Sequence, residues 1–370
     1  MSGASVTMIG NFPPPLGGAA FVNESVWKSL VDAGIPVTRV NVSGPTLTHN
    51  RSLSYHARRS ARNFVGLKRA RAAGSLGATL YIVPDAGLGA WYTRAHIVGA
   101  AGRYGAVMIH HHSCRYIEQR DDAIAAVTTA AGQHATHVFL TEGMAANYQR
   151  QYGDVNFRVA TNARFVADEA ERPAASRPSG PIRIGHLSNL SRDKGFFAVA
   201  DAFDTIRSVG VDATLALAGP TLGQEVEDRL ADIRRKHGSA VSYLGPLSGN
   251  AKAEFYREID LFLFPTAFKQ EAAPLVIYEA LAAGCPVLAT DRGVISEIVP
   301  AVGGAVCGRD DDFSAFTLQH IRSQQWDQES RNLRSDQIKE WIRVEATTSL
   351  AQYGAVLRQL AEGPRPGNAA

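Results

Sequence analysis

At 370 residues the chain is long for a single hydrophobic core, so two domains are the expected organisation. Its 45% hydrophobic and 20% charged residues match a folded globular protein and exclude a wholly disordered one. Lys and Arg (38) nearly balance Asp and Glu (35); the net charge of +3 is too small by itself to mark a polyanion-binding surface, and nucleic acid is not an expected partner.

The opening MSGASVTMIGNF has neither the basic region nor the apolar core of a signal peptide, and no run of about eighteen apolar residues follows it. Cys114, Cys285 and Cys307 form no CxxC pair, which fits reduced thiols in a cytoplasmic protein. Peripheral contact with the inner face of the plasma membrane stays open, because basic residues beside an apolar loop adsorb to anionic lipid without a spanning segment.

In chain order, strand-like runs alternate with helical stretches: SVTMIG, VWKSLVDAG, PVTRVNV, ATLYIVP, AVMIHHH, DDAIAAVTTAAG and THVFLT. Such alternation predicts a parallel sheet covered by helices. ERPAASRPSGP then reads as a linker, having little with which to build a core. The pattern restarts with PIRIGHLSNL, FFAVADAFDTIRSVG, ATLALAG, EVEDRLADIRRKHG, VSYLGPL, DLFLFP, LVIYEALAAG and PVLATD. The expected fold is α/β, with two Rossmann-like domains, 1–172 and 182–335, joined by a linker at 173–181 and facing across a cleft. A closing helical segment, 336–370, is expected to pack back on the first domain.

The most informative segment is FPTAFKQEAAPLVIYEALAAGCPVLATDRGVISEIV, residues 264–299. Pro274 has the fixed backbone angle suited to a first helical position, and Gly284 supplies the stop. Glu271 then lies in the loop before a helix and Glu279 about one turn inside it. The free amides of Leu275 and Val276, at the positive end of that helix, suit a diphosphate. Carboxylates repel phosphate but accept hydrogen bonds from sugar hydroxyls. The pair Glu271 and Glu279, separated by seven residues and set between strands FLFP and PVLAT, resembles the signature of the GT4 family of retaining glycosyltransferases, of GT-B fold.

That resemblance implies that Glu279 holds the ribose diol and Glu271 the transferred sugar. It implies transfer of a hexosyl unit from a nucleotide-diphosphate sugar, UDP- or GDP-linked, to a saccharide or lipid-linked saccharide in polysaccharide or glycoconjugate biosynthesis. It also implies retention at the anomeric carbon, no tightly bound cofactor and no essential metal. IGHLSNLSRDKGFF matches the family's basic motif: Lys194 stands where its lysine meets the diphosphate, Asn189 where relatives carry arginine, and Arg192 is a substitute cation. Pro274 also departs from the usual glycine, removing one amide donor. Gly219 and Gly245, in LALAGP and VSYLGP, resemble loops around the nucleotide base. Gly17 and Gly18 resemble a Gly-Gly loop beside the donor and do not form GxGxxG. His112, with His111 next, matches a histidine at a strand exit that contacts the sugar; no zinc spacing accompanies them. Asp85, Trp91, Tyr92, Arg115, Tyr116 and Glu142 are acceptor-side candidates. A GT-B sugar phosphorylase and a noncatalytic sugar-nucleotide scaffold are the alternatives, the latter motivated by Asn189 and Pro274.

Overall fold

Apolar runs without alternation, such as ATLYI and LFLF, need cover on both faces, and a parallel sheet between helix layers supplies it. In the computed structural model, which describes residues 5–14, 17–44 and 53–363, the chain divides into two units. Unit 1 is Met1–Thr161 with Ala351–Ala370, and unit 2 is Asn162–Leu350.

Unit 1 contains β1 (Ser5–Gly10), α1 (Gly18–Asp32), β2 (Val37–Asn41), α2 (Leu53–Ala73), β3 (Ala78–Ile82), α3 (Ala90–Ala100), β4 (Ala106–His110), α4 (Arg115–Glu118), α5 (Asp122–Ala131), β5 (Thr136–Phe139), α6 (Glu142–Tyr152) and β6 (Asn156–Val159). Its parallel sheet has the order β2-β1-β3-β4-β5-β6. Interior β3 is buried at every position, whereas edge strands β2 and β6 keep exposed residues. Side-chain caps start two of the helices: Asp121 accepts from the Ala123 amide, and Thr141 from that of Met144.

Unit 2 contains α7 (Ala167–Glu171), β7 (Ile182–Leu187), α8 (Phe196–Ser208), β8 (Ala213–Ala218), α9 (Gln224–His237), β9 (Val241–Tyr243), α10 (Gly249–Glu258), β10 (Leu261–Phe264), α11 (Leu275–Ala282), β11 (Val287–Thr290), α12 (Ile295–Ile298), β12 (Gly304–Cys307) and α13 (Phe313–Ser323). The last helix, α14 (Gln328–Glu362), begins in unit 2, and its residues from Ala351 belong to unit 1. The second sheet is parallel, in the order β12-β11-β10-β7-β8-β9. Strand order reverses between β1 and β3 in unit 1 and between β7 and β10 in unit 2. Ligands of open α/β sheets gather beyond the strand carboxyl ends at such switch points.

The segment 173–181, expected as a linker, is docked on unit 2 by a buried arginine. Arg177 is 1% exposed and donates to the carbonyls of Ile259 and Ala283. Nearby, the buried Asp260 carboxylate accepts three bonds from Arg183, two from its guanidinium at 2.7 and 2.9 Å and one from its amide at 2.9 Å, and one from Arg331 on α14 at 3.0 Å. Arg177 stands 4.0 Å away. Hydrogen bonding to Asp260 raises the Arg183 pKa, while burial lowers that of Arg177.

Unit 1 also buries several histidines. His96 meets Asn63 at 3.2 Å. His111 lies parallel to Phe139 at 4.6 Å, its Nδ1 is 3.1 Å from the Tyr116 hydroxyl, and its Nε2 is 2.9 Å from Nδ1 of His137. Burial lowers His96, His112 and His137 to about 4. Burial, then the neighbouring His137 and His112, takes His111 well below its ordinary range.

Two predictions follow from these buried groups. Asp260→Ala leaves arginines buried without their counter-charge, and a loss of about 3–5 kcal/mol is expected in urea denaturation at neutral pH; a loss below about 1 kcal/mol contradicts the compensating role. The histidines stay neutral in the folded chain and take a proton in the unfolded one between pH values of about 6.5 and 4, so stability is lost as pH falls through that window. His96→Gln should flatten the fall by about 1.4 kcal/mol per pH unit within it, and an unchanged slope contradicts the assignment.

Candidate active site

The loops after β7 and β10 meet at the switch point of unit 2. His186, buried on β7, places Nδ1 2.8 Å from the Leu263 carbonyl on β10 and Nε2 2.9 Å from the Ser188 hydroxyl. Burial lowers His186 to about 4, so the ring is neutral and the Leu263 carbonyl accepts from Nδ1–H. Beyond the strands, the Ala267 amide donates to the Asp193 carbonyl at 2.8 Å. Gly195 has φ +87°, and a Cβ there would fall 2.2 Å from the Pro265 carbonyl oxygen. Only glycine permits so close an approach in that conformation.

This contact delivers Lys194 to Glu271, Nζ to Oε2, at 2.5 Å. The Thr266 hydroxyl lies 3.2 Å from the same carboxylate oxygen, and the ammonium lies 4.4 Å from the Phe268 ring centre. The Lys194 and Glu271 side chains are 24% and 10% exposed, so the pair is shielded more than an ordinary surface bridge. Gly293, at φ +60°, supports the Glu271 loop from behind: a Cβ there would fall 2.3 Å from the Glu271 carbonyl oxygen, and the Val294 amide donates to the Ala272 carbonyl at 3.3 Å.

Pro274 is the N-cap of α11, with ψ 127°, one position earlier than expected. Helical geometry begins at Leu275, and the first bond of the turn runs from the Ile277 amide to the Pro274 carbonyl at 3.2 Å. The Leu275 and Val276 amides therefore lie in the helix's opening turn, ahead of its regular ladder. Glu279 points toward α10. Its Oε1 lies 2.5 Å from Lys252 Nζ, and its Oε2 accepts from the Tyr256 hydroxyl at 3.2 Å. Burial, then the Glu279 charge, raises the Tyr256 pKa well above its ordinary range, so the phenol keeps its proton. Lys252 and Tyr256 escaped the sequence reading; their spacing of four residues puts both on one face of α10, and no local pattern names their partner.

The other expected donor residues are placed differently. Arg192 is exposed, pairs with Glu225 at 2.9 Å and lies over Phe197, so its charge is engaged away from Glu271. Asn189 is exposed. A Cβ on Gly219 would fall 1.7 Å from the Ser188 carbonyl oxygen, and the Gly219 amide donates to the Gly245 carbonyl at 2.8 Å, which stitches together the ends of β7, β8 and β9.

In unit 1, Gly17 is the N-cap of α1 and Gly18 its first residue, each with open space where a side chain would stand. Of the two candidate histidines, His111 is a core residue: it is buried and both ring nitrogens meet internal partners, which leaves no edge for a ligand. Tyr116 is buried against it. His112 is partly exposed as a residue, but its Nε2 is buried and, among the described residues, has no hydrogen-bond partner. Asp85, after β3, pairs with Arg59 at 2.7 Å, and the Tyr92 hydroxyl meets Ser60 at 2.6 Å. Trp91 and Arg115 are exposed; Glu142 is exposed too, a helix-start acid behind the Thr141 cap. Among the described residues no group of three or more His, Cys, Asp or Glu is arranged to hold a metal ion.

Comparison with known proteins bears on unit 2 most directly. Residues 167–320 match the family model described as Glycosyl transferases group 1. A stretch of 120 residues is 29% identical to the lipopolysaccharide 1,2-N-acetylglucosaminetransferase of Salmonella typhimurium, covering 31% of each chain. The chain spans about a third of the length of the curated relatives it matches. Among solved structures, sucrose-phosphate synthase from Thermosynechococcus elongatus superposes with TM-score 0.69 at 16% identity, covering 96% of this chain and 99% of that one. Anabaena Alr3699/HepE, solved in complex with UDP, superposes with TM-score 0.64 at 15% identity and the same coverage. At such identities the structures speak for the fold alone. The chain therefore has the two-unit α/β fold called GT-B, and its residues 167–320 match the model of the Glycosyl transferases group 1 family.

Proposed function

We propose that this chain transfers a hexosyl unit from a nucleotide-diphosphate sugar to an acceptor hydroxyl, with retention at the anomeric carbon as in the GT4 family. One observation carries the reading: Glu271 and Glu279 flank the start of α11, and each carboxylate is held by a lysine, Lys194 or Lys252. The matched family and the Salmonella transferase support the reaction class.

In this reading the diphosphate lies at the opening turn of α11, where the Leu275 and Val276 amides and Lys194 Nζ face it. Departure of the nucleotide concentrates negative charge there, and fixed positive groups stabilise that charge more than the ground state. Glu271 accepts from hydroxyls of the sugar, and Glu279 from the ribose diol while Lys252 and Tyr256 hold its orientation. These cations and amides supply the electrostatics that a metal would otherwise provide. UDP is favoured as nucleotide by the Anabaena complex, with GDP the other expectation. His112, with its unpartnered Nε2, is the acceptor-side histidine. A saccharide or lipid-linked saccharide acceptor places the reaction in polysaccharide or glycoconjugate assembly.

The test is a mass-resolved assay with UDP-, GDP-, ADP- and TDP-sugars against pooled oligosaccharide and lipid acceptors. A sugar-mass increase matched by nucleotide release supports transfer; sugar phosphate formed from inorganic phosphate points to a phosphorylase; nucleotide-sugar binding without turnover across the pool points to a scaffold. Glu271→Ala should lower kcat by about 10²–10³ while nucleotide affinity changes little, and unchanged turnover contradicts the sugar contact. Lys194→Ala should weaken donor binding and lower kcat together, about tenfold or more in each, and wild-type values for both contradict the diphosphate role.

A further inference from the structure

Charge is distributed very unevenly along the chain. Residues 33–117 hold eleven of the 38 Lys and Arg but only one of the 35 Asp and Glu, so this stretch carries +10 and the rest of the chain −7. The single acid, Asp85, is already paired with Arg59. Arg58, Arg62, Lys68, Arg69 and Arg71 are exposed on α2, and among the described residues none of them meets a carboxylate.

The same face is apolar. With 3.6 residues per turn, Ala57, Ala61, Phe64, Val65 and Ala72 fall within an arc of roughly 100° on α2. All five are exposed, Phe64 at 59% and Val65 at 48%. Arg58, Arg62 and Arg69 border this stripe on one side and Arg71 on the other, while Lys68 rises within it and lays its ammonium 4.6 Å from the Phe64 ring centre. Next to it lies α3, joined to α2 by the contacts Asn63 to His96 and Ser60 to Tyr92. Its outer row is Trp91, Arg94, Ala95 and Val98, with Trp91 and Val98 each 48% exposed. Two adjacent helices thus turn apolar side chains outward among cations that meet no carboxylate among the described residues.

We propose that the α2–α3 face of unit 1 docks on an anionic lipid bilayer. Guanidinium and ammonium groups at headgroup depth meet lipid phosphates, while Phe64, Val65, Trp91 and Val98 reach the acyl boundary. A nucleic-acid backbone would satisfy the cations but leave the aliphatic stripe in water. The charge pattern and the apolar stripe together therefore select the bilayer. This inference is independent of the donor chemistry assigned to unit 2.

The test is co-sedimentation of the full chain with phosphatidylcholine vesicles, with and without phosphatidylglycerol. Binding at least about tenfold tighter to the anionic vesicles, weakened by salt, is expected. The triple variant Arg58→Gln, Arg69→Gln, Arg71→Gln should lose about tenfold of that affinity. The variant Phe64→Ser, Trp91→Ser should bind more weakly while keeping its salt dependence. Thermal unfolding like that of the native chain serves as the control for folding in both. Equal partition onto neutral and anionic vesicles, binding to neither, or unchanged binding by the triple variant overturns the proposal. Capture of duplex DNA without binding to anionic vesicles overturns it as well and assigns the face to a polyanion.

Discussion

Asp260 stands immediately before β10 with its carboxylate out of water, and a charge so placed must be compensated by fixed partners. Those partners come from three separated parts of unit 2: Arg183 at the start of β7, Arg331 on α14, and Arg177 in the proline-rich segment before β7. The β7–β10 pairing that Asp260 secures is the one across which strand order reverses. Everything proposed for the donor site hangs from the far ends of these two strands, so the buried acid at one end fixes the geometry at the other. Such a cluster adds little net stability compared with apolar packing, while removing its acid alone leaves buried charge uncompensated.

The same economy of pairing governs the site itself. Glu271 and Glu279 each meet a lysine, and Thr266 and Tyr256 supply hydroxyls to the two carboxylates. The Thr266 carbonyl in turn accepts from the Thr290 hydroxyl at 2.7 Å, which ties the Glu271 loop to the end of β11. Side chains locked by neighbours in this way need little reorganisation when charge shifts nearby.

Much of this was legible in the sequence where local pattern and burial agree. Interior strands such as β3 and β10 read as unbroken apolar runs because both faces are covered, and Gly284 marks the end of α11 correctly. Pro274 lay one residue off, since its fixed φ suits an N-cap as well as a first helical position. The unread features depend on partners far away in sequence. Lys252 acquires its role only when α10 is laid against α11, Arg177 becomes structural only because Ile259 and Ala283 offer carbonyls, and His111 is indistinguishable from His112 until β4 is seated on β5. Edge strands β6 and β12, only partly covered, lack the unbroken run of large apolar residues that marks a buried strand. The net charge of +3, too small by itself to mark a polyanion-binding surface, concealed a strongly cationic stretch offset by an acidic remainder.

Unit 1 is built from two stretches of chain, and the second is the end of α14. Gln359 bridges Arg158 and Thr136, Gln352 accepts from the Thr161 amide, and Tyr353, Val356 and Leu360 are buried. During synthesis, unit 1 is therefore begun before unit 2 and completed after it: Arg158 on β6 and Thr136 on β5 wait for Gln359 while unit 2 is made. An exposed strand edge is a template for unwanted pairing. The short β6, with two exposed positions of its four, makes a poor one during that wait.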